Sequence, residues 1–392
     1  AYNDITPLRA TVTLTNPFET TSGSPIVVVT DANSGYTDGD FVTYSGVSAV
    51  GGLTLNGEYQ ITLTTTLNEY TIDAGSAASS SATGGGTVTA AYQINVGTAF
   101  AIPLTGWGAS SWSSGTWGVG ATSTESIRLW SQSNFGEDLV FGPRNGPIYY
   151  WDATSGITTR AVELSTLGGA SNVPTSQKLI EISDINRFVF AFGANEFGSA
   201  TVNPMLVRWS DQGSVTNWTP SATTQAGFLT LSRGTEIIAS KQARQEVLVW
   251  TDAALYSMQY VGAPVVWSAQ LVGENISTAS QNCVAYANGV AYWMGKDKFY
   301  KYDGRTQPLR CDLRKFIFGD FNEQQYDQVF AGTNESYHEV WWFYCSTDQT
   351  NIDRYAVYNY LEDVWYYGTM ARTAWLDSGL RGNPLAATYS YN

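Results

Sequence analysis

Histidine is almost missing from this sequence: His338 stands alone among 392 residues. A multi-histidine metal site has no ligands to draw on, and no Ser/His/Asp triad announces itself around one imidazole. His338 comes just before the run Val340-Trp341-Trp342-Phe343 and reads as a turn or edge residue. Charge is scarce too, at 14% against a usual share of roughly a quarter. Cations are the scarcer sign: 20 Lys and Arg face 34 Asp and Glu, for a net charge of −14. That balance argues against a role gripping nucleic acid, which needs a basic footprint on the phosphates. It allows nucleic acid to pass nearby without sticking, and the plainer reading is an acidic surface that confers solubility.

Cysteine is limited to Cys283, Cys311 and Cys345. An odd, sparse set is no disulfide framework and reads as free thiols in a reducing cytoplasm. No secretory signal opens the chain, and no apolar run approaches the ~20 residues of a membrane span. Long stretches of Ala, Leu, Glu and Lys, the usual helical composition, do not occur. No phosphate-cradling glycine loop, zinc pattern or dinucleotide fingerprint is present.

What the sequence has is aromatic and β-forming. It carries 14 Trp, 24 Tyr, 16 Phe and 38 Gly. Residues 10–95 contain no Trp, Lys or Cys. Runs such as Ile26-Val27-Val28-Val29, Phe41-Val42-Thr43-Tyr44 and Tyr70-Thr71-Ile72 read as short strands, with Asp38-Gly39, Gly51-Gly52 and Asn56-Gly57 as turns. This segment is expected to be a small inserted β domain, with residues 1–9 as an entry strand of a larger fold and residues 96–392 as the remainder of that fold. Residues 106–118, GWGASSWSSGTWG, space Trp107, Trp112 and Trp117 by five. That is neither a helical nor a strand period, so the segment reads as an ordered loop whose tryptophans anchor a contact.

From about residue 127 a unit repeats. Apolar strands recur at Leu139-Val140-Phe141, Phe188-Val189-Phe190, Val247-Leu248-Val249-Trp250, Val290-Ala291-Tyr292-Trp293 and Val340-Trp341-Trp342-Phe343. A second aromatic strand is expected after each of them, beyond a polar turn, as at Phe299-Tyr300-Lys301-Tyr302. The spacing of roughly fifty residues is that of a four-stranded propeller blade. One hairpin cannot bury both of its faces, so blades must stack around an axis. The fold class expected is all-β, a β-propeller of four-stranded blades with a small inserted β domain near the N-terminus. A β-sandwich is the rival.

Three constellations invite a chemical reading. Asp31, Asn33 and Gly35 open like a calcium loop, but Tyr36 fills the sixth position and Val42 the twelfth, where glycine and a carboxylate belong. Ser210-Asp211-Gln212-Gly213 ahead of Trp218 resembles the Asp-box turn of sialidase-like propellers, which is itself a structural turn. Glu362-Asp363 before Trp365-Tyr366-Tyr367 offers paired carboxylates beside aromatics, which a glycosidase uses and a solvated turn uses equally. No catalytic residue, cofactor or metal ligand is assigned, and the chain reads as a non-enzyme.

Several segments, taken in order, resemble the tail nozzle (tail tubular protein) family of short-tailed, podovirus-type bacteriophages. Asp4-Ile5-Thr6-Pro7-Leu8-Arg9 resembles a junction motif. Gly39-Asp40-Phe41-Val42-Thr43-Tyr44-Ser45-Gly46 and Leu55-Asn56-Gly57-Glu58-Tyr59-Gln60-Ile61 resemble the small domain after it. GWGASSWSSGTWG resembles the return into the propeller. Arg128-Leu129-Trp130-Ser131, Asn217-Trp218-Thr219-Pro220 and Asp363-Val364-Trp365 also fit. The resemblance implies a virion tail protein assembled in the bacterial cytoplasm. It implies a homo-oligomeric ring, a hexamer, around the channel through which the genome leaves. It also implies contacts with an adaptor protein on the portal side and with tail fibres or spikes, with DNA passing through unbound, no membrane insertion, and further propeller sequence outside residues 1–392. The alternatives are a receptor- or glycan-binding tail protein with aromatic platforms, and a propeller glycosidase with carboxylates and arginines in a deep axial pocket.

Overall fold

The structure, a computed structural model, describes residues 3–32, 35–63, 68–98, 100–102, 105–106, 121–122, 127–377 and 383–388. Trp107, Trp112 and Trp117 lie outside the described residues. The chain divides into two compact units, Ala1–Gly97 with Trp151–Val162, and Thr98–Tyr150 with Glu163–Asn392. Among the described residues the one α-helix is Arg314–Gly319, and no helix is long and apolar enough to cross a membrane.

The first unit is built from two antiparallel sheets. Leu8–Thr15, Thr87–Gln93, Phe41–Ser45 and Gly57–Gln60 make one, in that spatial order. Thr62–Leu63, Glu69–Asp73, Ile26–Thr30, Phe18–Thr20 and Ala82–Gly84 make the other. Apolar and polar residues alternate along these strands, so each sheet buries one face. Val27, Val29, Val42, Tyr44, Tyr70, Ile72, Val88 and Tyr92 form the shared core. Three of those tyrosines bring hydroxyls inside, and the hydroxyls satisfy one another. Tyr44 pairs with Tyr70, Tyr70 with Tyr92 at 2.8 Å, and Tyr92 donates to the buried Asp31 carboxylate.

Residues 1–9 were expected to enter the propeller, but Leu8 and Arg9 instead open the first strand of this unit. The reason is pairing: Leu8–Thr15 runs antiparallel to Thr87–Gln93, with a register shift at Arg9. Arg160 joins the same unit from far along the chain. Its guanidinium donates to Asp4 at 2.9 Å, to the Thr6 carbonyl at 2.8 Å and to Glu58 at 3.1 Å.

The second unit is a β-propeller. Among the described residues, five successive four-stranded antiparallel meanders each keep chain order from first to fourth strand. Blade I is Trp130–Phe135, Asp138–Pro143, Tyr149–Trp151 and Val162–Glu163. Blade II is Leu179–Ser183, Phe188–Phe192, Leu206–Trp209 and Gly227–Thr230. Blade III is Ile237–Gln242, Val247–Thr251, Ala254–Gly262 and Val266–Glu274. Blade IV is Val284–Ala287, Val290–Met294, Phe299–Tyr302 and Thr306–Leu309. Blade V is Phe330–Asn334, Glu339–Tyr344, Arg354–Asn359 and Val364–Thr369. A two-stranded hairpin, Ala374–Leu376 with Leu385–Ala387, follows blade V. The first strands of successive blades lie beside one another.

Blade stacking explains the continuous apolar runs. Phe188, Phe190 and Phe192 share a core with Val247, Val249 and Trp267 of blade III, while Val189 and Ala191 face Val140 and Ile148 of blade I. Leu248 and Trp250 of blade III turn the other way, toward Trp293 of blade IV, whose ring meets Trp250 edge-on at 5.3 Å. In blade V, Trp342 and Tyr344 pack toward blade IV, while Phe343 and Cys345 pack with Trp375 of the last hairpin. A strand buried on both faces cannot alternate, so it reads as an unbroken hydrophobic run. The turns carry their own signals. Asn288 and Gly289, at φ 50° and 81°, make the two-residue hairpin that pairs Ala287 with Val290, the left-handed pair that such a turn requires.

Candidate functional site

The first strands of all five blades, and of the hairpin after blade V, line a single axial cavity of about 600 Å³. Its wall is polar where the strands behind it are not. Arg128, Glu181 and Lys241 supply the charges, Gln132, Gln281 and Asn282 the amides, and Trp130, Phe330 and Trp375 the aromatic surfaces. Burial raises the Glu181 carboxyl above its ordinary range. The Lys241 charge, the Ile182 and Gln242 amides and the Ser133 hydroxyl oppose that rise. Trp375 is held by a hydrogen bond from its indole N–H to the Thr333 carbonyl at 2.8 Å and by stacking on Trp341 at 5.3 Å.

A second, more open cavity of about 790 Å³ lies at the turns joining first and second strands, between blades II, III and IV. Tyr260, Tyr286 and Tyr302 line it with Arg244, Glu246 and Asp303. Glu246 is engaged, accepting from the Ser257 hydroxyl and from Tyr302 at 3.4 Å. Burial and that carboxylate push the Tyr302 phenol up to about 12.

The residues singled out from sequence serve the scaffold. His338 is the left-handed residue, φ 60°, ending the single turn Glu335–Tyr337, with its ring edge-on to Tyr360 at 5.6 Å. Asp31 accepts from Tyr92, and Asp40 accepts from the Thr37 and Val96 amides at 2.7 and 2.9 Å, so both carboxylates act within turn and core. Asp211 caps its own turn, accepting from the Gln212 and Gln225 amides at 3.0 and 2.7 Å. Trp218 beyond it is buried, its indole donating to the Val215 carbonyl at 2.8 Å. Asp363 sits at φ 56° in the turn of blade V and accepts from Tyr358 at 2.9 Å. Cys283 and Cys345 are buried, and burial pushes the Cys345 thiol up to about 12, far from a reactive thiolate. Among the described residues no group of three His, Cys, Asp or Glu side chains converges as a metal site would.

Glu181, Lys241 and Gln281 were not singled out from sequence. Their signal was weak: Lys241 and Gln281 lie in the polar stretches Ser240-Lys241-Gln242 and Ser280-Gln281-Asn282 ahead of apolar strands, while Glu181 is a single carboxylate within Leu179-Ile180-Glu181-Ile182. A polar stretch looks like a loop until the blades place it on an axis.

No family model matches the sequence, and no curated protein does. Solved structures align with it at low identity. One is the extracellular domain of a one component system from B. thetaiotaomicron, with 11% identity over 67% of this chain and TM-score 0.42; this chain spans 30% of its length. Another is the computationally designed protein Ika8, with 10% identity, 98% of this chain, 94% of that one and TM-score 0.40. A third is the endosialidase of phage phi92, with 12% identity, 86% of this chain, 47% of that one and TM-score 0.22. Likenesses at this level say nothing of activity.

Proposed function

We propose that this chain is a non-catalytic structural subunit of a bacteriophage tail, the nozzle. In this reading it forms a ring around the DNA channel and joins the adaptor region to the distal tail and fibres. The observation that carries an assembly role is an aromatic outer edge. On blade V the fourth strand, Val364–Thr369, leaves Val364, Tyr366 and Tyr367 exposed, with Leu361 in the turn before it. Phe316 packs on Tyr367 at 4.4 Å and is itself 46% exposed. A fourth strand is an open sheet edge, and exposed aromatic residues on such an edge suit a contact with another chain.

The order of the motifs that resemble the nozzle family supports the particular assignment, and the −14 charge suits a wall that DNA slides past. A glycosidase needs two carboxyl groups across a bond. The axial cavity offers one, Glu181, already hydrogen-bonded to Ser133 at 3.4 Å and to the Ile182 amide at 3.3 Å. Sedimentation of the purified chain tests the assembly role. A closed multiple of the monomer mass is expected, and Tyr367→Ser combined with Phe316→Ser should return it to monomers. A monomer at every concentration would contradict the role.

A further inference from the structure

The open cavity of about 790 Å³ between blades II, III and IV is assembled from separate turns and strands. Arg244 and Gln245 form the tip of the first hairpin of blade III, whose arms are joined by the Ala243 N–H and the Glu246 carbonyl at 2.9 Å. The Arg244 backbone N–H donates to the Tyr286 hydroxyl of blade IV at 3.2 Å, which fixes that tip against the next blade. Asn186 comes from the matching turn of blade II, and Tyr260 from the third strand of blade III. Tyr260 is held by its hydrogen bond to Gln225 Oε1 at 2.9 Å and by its edge-on contact with Trp267 at 5.6 Å. A wall fixed in this way lowers the ordering cost of binding.

Several polar groups on the wall are accessible and uncommitted. Among the described residues the side-chain amides of Asn186 and Gln245 have no hydrogen-bond partner, and the Arg244 guanidinium has neither a hydrogen bond nor an ion pair. Arg244 and Gln245 are exposed and Asn186 is half-buried, so a ligand can reach them. Tyr286 is half-buried too, and its hydroxyl keeps a hydrogen to donate. The carboxylates, by contrast, are engaged. Glu246 accepts from Ser257 and Tyr302, while Asp303 pairs with Lys301 at 3.8 Å and accepts from Gln307 at 3.4 Å.

That balance selects a neutral ligand. With two carboxylates against one guanidinium, the wall does not favour an anion, and a cation finds no free carboxylate. An amide sets a donor beside an acceptor, and a hydroxyl answers both. Tyr260, Tyr286 and the exposed Ile185 add apolar surface of the kind that packs on the C–H face of a sugar ring. The volume falls within the ~300–1,000 Å³ of small-molecule sites.

We propose that this cavity binds a neutral saccharide, with Tyr260 and Tyr286 against the C–H faces of its rings and Asn186, Arg244 and Gln245 on its hydroxyls. The site lies within one chain and does not depend on the tail assignment. A free sugar and a neutral stretch of glycan present the same chemistry.

Calorimetric titration of the full chain tests the site with glucose, galactose, mannose and N-acetylglucosamine, with a neutral oligosaccharide of each, and with an oligogalacturonide. At least one neutral sugar should bind, and the acidic oligogalacturonide should bind at least about tenfold more weakly. Added salt should leave the neutral affinity unchanged, because no ion pair forms. Tyr286→Ala should weaken that sugar by about tenfold, and Gln245→Ala by about fivefold. Gln245→Ala removes an exposed side chain at a hairpin tip, so its melting temperature should match the wild type, which keeps the test sound if Tyr286→Ala folds poorly. An oligosaccharide that binds more tightly than its monosaccharide supports a glycan as the occupant, and equal affinities support a free sugar. No heat with any neutral sugar, an oligogalacturonide that binds as tightly, or unchanged affinity in Gln245→Ala would overturn the proposal.

Discussion

Trp342 shows how one residue can serve two blades. Its indole N–H donates to the Cys283 carbonyl at 3.0 Å, and its ring meets Phe299 at 4.8 Å and Trp365 at 5.8 Å. It is fully buried. Trp342→Ala should therefore cost about 3–5 kcal/mol in chemical denaturation, the range for removing a large aromatic from a core. A loss under about 1 kcal/mol would mean that the blade V interface is not packed as described. Glu181 gives a pH signature of the axial wall. Burial raises its carboxyl in the folded state, so the folded protein holds the proton to higher pH than the unfolded chain does. The associated stability is fully present below the unfolded carboxylate range, and it is lost as pH rises through the folded value. Stability measured from pH 4 upward should thus fall more steeply in the wild type than in Glu181→Gln. Parallel curves would contradict a buried carboxyl.

At the scale of elements, the second and third strands of the blades were the legible ones. Val247–Thr251 and Glu339–Tyr344 stand between two neighbours and show up as apolar runs. Their period of about fifty residues gave the blade. First strands were not singled out, because Trp130–Phe135 and Phe330–Asn334 carry serines, glutamine, threonine and asparagine and make no apolar run. Fourth strands such as Gly227–Thr230 are half exposed and short. The long connection 310–329 hides the α-helix Arg314–Gly319, which its six residues could not announce by periodicity. The axial site stayed invisible for the same reason as its strands: residues about fifty positions apart meet only once the blades close. Gly332 illustrates an element-level constraint. A Cβ there would collide with Trp375 Cδ1, so the inner strand of blade V makes room for that indole. Gly332→Ala should displace Trp375, redshift its fluorescence and cost about 1–3 kcal/mol, the range for overpacking. An unchanged spectrum and melting curve would mean that the hairpin after blade V does not seat on this strand.

For the whole molecule, charge and edges govern what it can assemble with. A channel wall that let DNA slide would have to avoid phosphate contacts, because each Lys or Arg contact releases counterions and several in series make a trap. With 34 acidic and 20 basic side chains per chain, the protein should not retain duplex DNA at physiological salt in a filter or gel-shift assay. Tight, salt-sensitive retention would exclude a sliding surface. This concerns the lumen of a ring of chains, which is distinct from the axial cavity inside each propeller. Ring formation is the central claim, and electron microscopy of the purified, concentrated protein tests it most directly. The account predicts closed rings, six copies around an open axis, with the outer edge of blade V in the contacts between neighbours. Isolated single propellers in every field, at every concentration, would contradict it.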